Sequence, residues 1–199
     1  PDLAEAHTSL GIVKMYYDRD LPGAEAEIRR AMELNPGEDF SRHWHAHYLE
    51  KVQRFEDANA ELRRVVELDP LSPYVRLNSI FPLYESRQYD RAIEAARTLL
   101  ADAPDYGHPH FIIAQCLLAK GESSAAVREF SRAASLDSSN RILSAFVAYG
   151  KARQGDPSEA RAMLASLLAE SRREYVSAIA MAVVCLGMGE RDQGFHWLD

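Results

Sequence analysis

The sequence has little cysteine and no long apolar run, and each scarcity excludes a class of protein. Its 199 residues include two cysteines, Cys116 and Cys185, which lie far apart on apolar stretches. A disulfide framework needs more and closer cysteines, so we expect both to be buried free thiols. No segment reaches the roughly 20 consecutive apolar residues of a membrane-spanning helix. The sequence therefore predicts neither a disulfide scaffold nor a membrane span.

Basic charge is also scarce and dispersed. Lys and Arg number 23 against 30 Asp and Glu, which gives a formal net charge of -7. The basic residues form no patch, and the pair Arg172-Arg173, for example, is followed at once by Glu174. Nucleic-acid-binding domains concentrate Lys and Arg on one face, so we expect no nucleic acid contact from this segment.

The local motifs of catalysis are absent from the sequence as well. There is no glycine-rich phosphate loop, no nucleophile elbow and no pair of carboxylates in an apolar setting. The acidic residues alternate with arginine at helical spacing in strings such as EAEIRRAME and DANAELRRVVE, as on a solvated helix face. We therefore expect a protein that is not an enzyme and that needs no cofactor.

What the sequence does have is a repeat. Small residues recur every 34 residues along the chain, at Ala24, Ala58, Ala92, Ala126, Ala160 and Gly194. Mostly apolar residues follow four and seven positions later, such as Leu62 and Val65 after Ala58. This spacing is the apolar face of a helix, and the small residues mark where two helices approach closely. Unbroken steps of one period predict an array of stacked helical units.

Each repeat is predicted to contain two helices. Their approximate bounds pair 3–17 with 22–34, 39–52 with 56–68, 73–86 with 90–101, 107–119 with 122–136, 140–153 with 157–170, and 175–187 with 190–199. Ser72-Pro73 has the form of an N-cap followed by a proline in the first turn. Gly121, Gly155 and Gly189 stand at turns inside repeats, where helices often end in a left-handed residue.

Two places depart from the regular pattern. The first repeat contains one extra residue, in the string RDLPGAEA, which should lengthen its turn. Pro82 falls inside a predicted helix, where proline removes a backbone hydrogen bond and should produce a kink.

The string SLGIVKMYYDRDLPGAEAEIRRAMELNP resembles the tetratricopeptide repeat, which has Leu-Gly, small-residue and Pro positions over 34 residues. The resemblance implies an all-α fold, a right-handed superhelical solenoid of about six helix-turn-helix repeats. We expect a single array over residues 1–199. Its repeats would lie at about 4–37, 38–71, 72–105, 106–139, 140–173 and a truncated 174–199.

Longer strings are similar to one bacterial subfamily of these arrays. They are PGAEAEIRRAMELNP, HWHAHYLEKVQRFEDANAELRRVVELDPLSP and REYVSAIAMAVVCLGMGERDQGFHWLD. They resemble the C-terminal arrays of winged-helix transcriptional regulators, and arrays found in Ser/Thr kinases and adenylate cyclases. The resemblance implies a regulatory or interaction part of a larger bacterial signalling protein. We expect it in the cytoplasm, or in the periplasm if a membrane tethers the parent protein.

In the family that the sequence resembles, the first helix of each repeat lines a concave face. Its groove-facing positions are mostly aromatic or histidine here: Phe40, His43, His47, Tyr74, Phe81, Tyr84, Phe111, Gln115 and Tyr149. The Lys and Asn residues of the family's carboxylate clamp are missing, so that mode of peptide binding is excluded. Aromatic side chains suit an apolar or extended partner segment. The alternative is that these aromatics pack between neighbouring helices.

His43 and His47 are also the candidates for a metal site. They lie four residues apart on one helix face, a spacing that can chelate zinc, and Glu50 or His108 would have to supply a third ligand. Histidines at a surface or between helices are the commoner outcome, so we predict no metal here. The same pair would respond to pH near neutrality.

The two ends of the sequence have the appearance of fragment boundaries. The chain opens on Pro1-Asp2 without Met, and the sixth repeat is incomplete. Its final helix carries Phe195, Trp197 and Leu198 next to an almost wholly apolar helix, AIAMAVVCLGMG. Terminal repeats of a solenoid need polar outer faces. We therefore expect a bare C-terminal end and self-association through it.

Together these features predict a protein-interaction module without catalytic activity. We expect a protein or peptide partner along the concave face, held chiefly by burial of aromatic anchors. The alternative hypothesis is an intramolecular regulatory or self-assembly domain, which docks its own effector domain or another copy of itself. A third hypothesis is a small-ligand or metal sensor built on His43 and His47.

Overall fold

A computed structural model describes residues 2–37 and 39–198, and every regular element in those ranges is helical. The predicted all-α fold class is therefore confirmed. The helices are α1 (Ala4–Val13), α2 (Leu21–Leu34), α3 (Asp39–Lys51), α4 (Phe55–Leu68), α5 (Pro73–Asn78), α6 (Phe81–Glu85), α7 (Tyr89–Asp102), α8 (Gly107–Ala119), α9 (Ser123–Leu136), α10 (Arg141–Arg153), α11 (Ser158–Glu170), α12 (Ala178–Gly187) and α13 (Arg191–His196). None of these helices combines the length and the apolar character that crossing a bilayer requires.

The chain forms two compact units, divided between Arg91 and Ala92 within α7. In the first unit, α1 packs on α2, α2 on α3, α3 on α4, and α4 on α5 and α6. Met15, Ile28, Leu49 and Leu62 are among the buried residues of its core. The single array over residues 1–199 stays a prediction.

In the second unit, α8 packs on α9, α9 on α10, α10 on α11 and α12, and α12 on α13. Its core includes Leu167, Met181 and Val184. Cys116 and Cys185 are both buried and free, which confirms the prediction from their spacing.

The small residues that mark the period are buried, as the sequence predicts. Ala24, Ala58, Ala92, Ala126 and Ala160 are fully buried. A Cβ added to Gly194 would lie 2.9 Å from Cγ of Leu186, closer than real Cβ atoms come. Larger residues at this column would therefore push apart the helices that pack there.

A left-handed residue recurs at the turn inside each repeat, again every 34 residues. The series consists of Arg19, Gln53, Arg87, Gly121, Gly155 and Gly189, all with positive φ. The three glycines adopt this conformation without a steric penalty, whereas Gln53, at φ 60°, holds it with a side chain.

The extra residue of the first repeat is absorbed inside its first helix, so the predicted longer turn is wrong. Residues Lys14–Asp18 form a π-helical segment that continues α1. The step from Gly11 to Arg19 is one residue longer than the step from Ala46 to Gln53. A π-helical turn bonds five residues apart and so holds one more residue than an α-helical turn. Arg19 thereby reaches the same turn position as its counterparts.

The interruption expected at Pro82 is confirmed. The first helix of the third repeat is divided into α5, which ends at Asn78, and α6, which begins at Phe81. Pro82 lies in the first turn of α6, where backbone N–H groups have no acceptor within the helix. Its missing N–H therefore costs the helix no hydrogen bond. The predicted N-cap at Ser72 also forms, since its hydroxyl accepts a hydrogen bond from the backbone N–H of Val75 at 3.3 Å.

Candidate functional site

All nine residues that the sequence predicts for partner binding lie on first helices of repeats. In the first unit they are Phe40, His43 and His47 on α3, Tyr74 on α5, and Phe81 and Tyr84 on α6. In the second unit they are Phe111 and Gln115 on α8 and Tyr149 on α10. We call the surface that α1, α3, α5 and α6 form in the first unit the first-helix face.

These side chains differ widely in exposure. Phe40 is 40% exposed and Tyr74 is 59% exposed, whereas His43 is only 6% exposed. Phe81 and Tyr84 are half-buried. Phe40 and Tyr74 therefore expose ring surface to solvent, whereas His43 is covered by its neighbours.

A cavity of about 290 Å³ lies among these aromatic rings. We call it the aromatic cavity. It is lined by Asp39, Phe40, His43, Trp44, Val65, Asp69, Ser72, Tyr74 and Val75. The rings of Phe40 and Trp44 meet edge to face, with centroids 6.3 Å apart, and those of His43 and Tyr74 are 5.8 Å apart. Edge-to-face contacts of this kind hold aromatic rings in fixed orientations.

His43, His47 and Glu50 form a hydrogen-bonded relay along α3. Nε2 of His43 lies 3.2 Å from Nε2 of His47, and Nδ1 of His47 lies 2.8 Å from Oε2 of Glu50. When both rings are neutral, Nδ1–H of His47 donates to the carboxylate and Nε2–H of His43 donates to His47. Burial, and secondarily the neighbouring His47, lower the pKa of His43 to about 4. His43 is therefore neutral near pH 7.

A second cavity of about 200 Å³ opens on the first-helix face. We call it the acidic cavity. It is lined by Tyr16, His47, Glu50, Lys51, Phe81 and Glu85. Burial raises the pKa of the Tyr16 phenol, and the negative charges of Glu50 and Glu85 raise it further. Partial burial and the charge of Glu50 likewise raise the pKa of Glu85. The two carboxylates thus act on the same small volume.

In the second unit, the predicted residues Phe111 and Tyr149 belong to a cluster of four aromatic rings. Phe146 lies 4.9 Å from Phe111 and 5.2 Å from Phe130, measured between ring centroids, and 6.3 Å from Tyr149. Phe130 is fully buried. Phe111 and Tyr149 are half-buried, so part of each ring faces the core and part faces solvent. Packing between helices therefore accounts for one side of each ring, and the other side stays open to solvent.

No metal centre is evident in the part of the chain that the structure describes. Over residues 2–37 and 39–198, no group of three or more His, Cys, Asp or Glu side chains is placed to hold an ion. His43 and His47 are hydrogen-bonded to each other.

Sequence reasoning missed several residues that line these cavities. Trp44 follows His43 directly, and successive residues of an α-helix point about 100° apart. The sequence therefore does not indicate that both side chains line the aromatic cavity. Tyr16 lies in the π-helical segment, whose different turn places side chains off the 3.6-residue period. Lys51 and Glu85 had no motif to mark them, because the residues that complete this cavity come from three different repeats.

Residues 83–141 match the family model of the tetratricopeptide repeat. No curated protein matches the chain. A thermophilic TPR protein from Thermus thermophilus is similar in structure, with a TM-score of 0.71 at 16% identity, covering 98% of this chain and 98% of that one.

Two further solved structures show the same fold. PilW, a type IV pilus biogenesis factor, has a TM-score of 0.68 at 16% identity and covers 98% of this chain and 90% of its own. MamA from Desulfovibrio magneticus RS-1 has a TM-score of 0.62 at 12% identity, covering 87% of this chain and 97% of its own. At these identities the likeness shows the fold alone. The match over residues 83–141 identifies a tetratricopeptide repeat segment in that part of the chain.

Proposed function

We propose that this chain is an interaction module without catalytic activity, which binds a segment of a protein or peptide partner on the concave face formed by its first helices. The observation that supports this proposal is the aromatic cavity, where Phe40 and Tyr74 expose ring surface around an open volume. A partner side chain that fills such a cavity buries the exposed aromatic area, which is the usual source of affinity at hot spots.

We further propose that the module is a regulatory part of a larger bacterial signalling or transcription-regulatory protein in the cytoplasm. The strings that resemble the arrays of winged-helix regulators, kinases and cyclases support this role. The partner is then another component of the same pathway, or the effector domain of the parent protein.

Affinity capture from the lysate of the source organism tests the partner-binding proposal. The immobilised wild-type chain is compared with a Phe40→Ala/Tyr74→Ala variant. A Leu136→Ala/Tyr175→Ala variant is the matched control, because both residues are exposed but neither lines the aromatic cavity. Circular dichroism and thermal unfolding establish that all three chains are folded before capture.

We expect a set of captured proteins that bind both the wild type and the control variant but do not bind the Phe40→Ala/Tyr74→Ala variant. Truncating two hot-spot aromatics costs at least about 2 kcal/mol each in well-packed interfaces, enough to abolish capture of a micromolar partner. Identical protein sets from all three chains would overturn the assignment of partner binding to this face.

A second candidate function is self-assembly through α13. Phe195 is 59% exposed and Leu198 is 52% exposed, so two large apolar side chains lie bare near Trp197. Exposed apolar clusters of this kind mark interaction surfaces. The concentration dependence of the molecular mass tests this candidate independently of the aromatic cavity.

A further inference from the structure

We propose that the acidic cavity receives one cationic side chain, an arginine or a lysine, of the segment that binds the first-helix face. This inference rests on the proposed function and specifies the chemistry of the partner. The partner segment would carry a basic residue in addition to the apolar residue that fills the aromatic cavity.

The first observation behind it is an unmet hydrogen-bond acceptor. The side chain of Glu50 is 8% exposed, and its Oε2 accepts a hydrogen bond from His47. Its other oxygen, Oε1, is buried and has no hydrogen-bond partner among the described residues. A buried carboxylate oxygen without a donor costs free energy, which a guanidinium or ammonium N–H from a bound segment would recover.

The second observation is the imbalance of charge around the cavity. Two carboxylates line it, from Glu50 and Glu85, against one ammonium, from Lys51. Lys51 Nζ lies 4.9 Å from the centre of the Tyr16 ring. In residues 2–37 and 39–198 no ion pair joins it to either carboxylate. The cavity therefore keeps an excess of negative charge that a cation would neutralise.

The third observation is the shape and composition of the walls. Tyr16 and Phe81 supply aromatic surface, on which the alkyl stem of Arg or Lys packs while its charged end reaches the carboxylates. The volume of about 200 Å³ is below the roughly 300–1,000 Å³ typical of small-molecule sites. The cavity thus suits a single side chain rather than a free metabolite.

The lining residues come from successive first helices. His47, Glu50 and Lys51 lie on α3, as do Phe40 and His43 of the aromatic cavity, and Phe81 and Glu85 lie on α6. His47 lines the acidic cavity and is hydrogen-bonded to His43, which lines the aromatic one. One extended segment crossing α3 would meet both cavities, an apolar site and a cationic site on the same face.

A pair of small probes isolates the charge. N-butylguanidinium and N-butylurea have the same shape, but only the first is cationic. Each is titrated into the isotopically labelled chain, and binding is followed by backbone amide chemical shifts. We expect N-butylguanidinium to bind about 10-fold or more tightly than N-butylurea, with shifts centred on Glu50, Lys51 and Glu85, because hydrogen bonds to charged groups are worth this ratio.

Two substitutions complete the test. Glu50→Gln and Glu85→Gln, singly and together, should reduce the guanidinium-to-urea ratio toward one, since each removes a charge and keeps the shape of the side chain. Glu67→Gln, an exposed residue of α4 outside the cavity, is the matched control and should leave the ratio unchanged. Glutamine still accepts the hydrogen bond from His47, so the variants should remain folded, which thermal unfolding verifies.

Equal binding of the two probes, or shifts that lie away from the acidic cavity, would overturn the inference. Its failure is distinguishable from that of the proposed function. If Phe40→Ala/Tyr74→Ala loses captured proteins while Glu50→Gln/Glu85→Gln retains them, the interaction module stands and the cationic site does not. If the acidic-cavity variant loses the same proteins, and they are recovered from the wild type less efficiently at high salt, the inference is supported.

Discussion

Nε2 of the buried His43 lies 3.2 Å from Nε2 of His47, so one ring must donate to the other. The two rings are close to perpendicular, with centroids 4.7 Å apart. His47 is in turn oriented by the carboxylate of Glu50. A positive charge on His43 would lie in a region that water barely reaches and beside His47, which is why the pKa of His43 falls to about 4.

The first prediction concerns the pH dependence of stability. Because the pKa of His43 is lower in the folded chain than in the unfolded one, the unfolded chain binds the extra proton between pH 6.5 and 4. The contribution of His43 is therefore complete above pH 6.5 and is lost as the pH falls toward 4. We expect the wild type to lose about 2 kcal/mol more than His43→Gln does between pH 7.5 and pH 5.

Urea unfolding at the two pH values measures this difference. Glutamine keeps an N–H donor for His47 but does not titrate, and all other titrating groups, including His45, are common to both chains. Parallel loss of stability in wild type and variant would show that His43 binds its proton equally well in the folded and the unfolded chain, contrary to its burial.

The second prediction concerns a buried contact between α1 and α3. Oγ1 of Thr8 and Oγ of Ser41 lie 2.7 Å apart, and both residues are fully buried. Thr8→Val and Ser41→Ala each remove this hydrogen bond and should each lower the free energy of unfolding by about 1–2 kcal/mol. The double variant should lose less than the sum, with a coupling of about 0.5–1.5 kcal/mol in a double-mutant cycle. Simple additivity would mean that the contact contributes nothing.

Much of the fold follows from the period alone. A small residue every 34 positions, with apolar residues four and seven places later, places both helices of a repeat because each helix can bury only one face. The first helix of the repeat that contains Gly107 was therefore predicted with the bounds that α8 has. The π-helical segment is not predictable in this way. An extra residue inserted in a helix and one inserted in a turn change the spacing of the sequence pattern equally.

The candidate site was predictable only in outline. The period identifies which helices form one face, and so it identified Phe40 and Tyr74. It does not reveal that His43 is covered by its neighbours, because its burial depends in part on the ring of Tyr74 on α5, which is distant in sequence. For the same reason the convergence of Glu50 and Glu85 needed the structure, since the two carboxylates lie in different repeats.

The third prediction concerns the left-handed turn residue. Gln53 is exposed and holds φ at 60°, where its counterpart in the fourth repeat is Gly121 at φ 83°. A side chain in this conformation costs about 1 kcal/mol, offset in part by the greater freedom of glycine in the unfolded chain. Gln53→Gly should therefore raise the free energy of unfolding by about 0.5 kcal/mol.

The reciprocal change is the control. A Cβ at Gly121 would meet no atom within 4 Å, so Gly121→Gln introduces backbone strain without a clash. We expect it to lower stability by about 1 kcal/mol in urea unfolding. A neutral Gly121→Gln, or a destabilising Gln53→Gly, would show that the turn conformation is not strained by a side chain.

The fourth prediction separates association from stability at α13. Phe195 and Leu198 are exposed, whereas Trp197 packs against the core of the second unit. Phe195→Glu/Leu198→Glu should abolish the rise of molecular mass with concentration in sedimentation velocity and leave stability nearly unchanged. Trp197→Ala should instead lower the free energy of unfolding by about 2 kcal/mol or more, because it removes packed ring surface. Tyr175→Glu, at an exposed position of a different segment, is the control for added charge. A wild-type chain that remains monomeric at all concentrations would remove the basis for self-assembly and leave partner binding on the first-helix face as the proposed function.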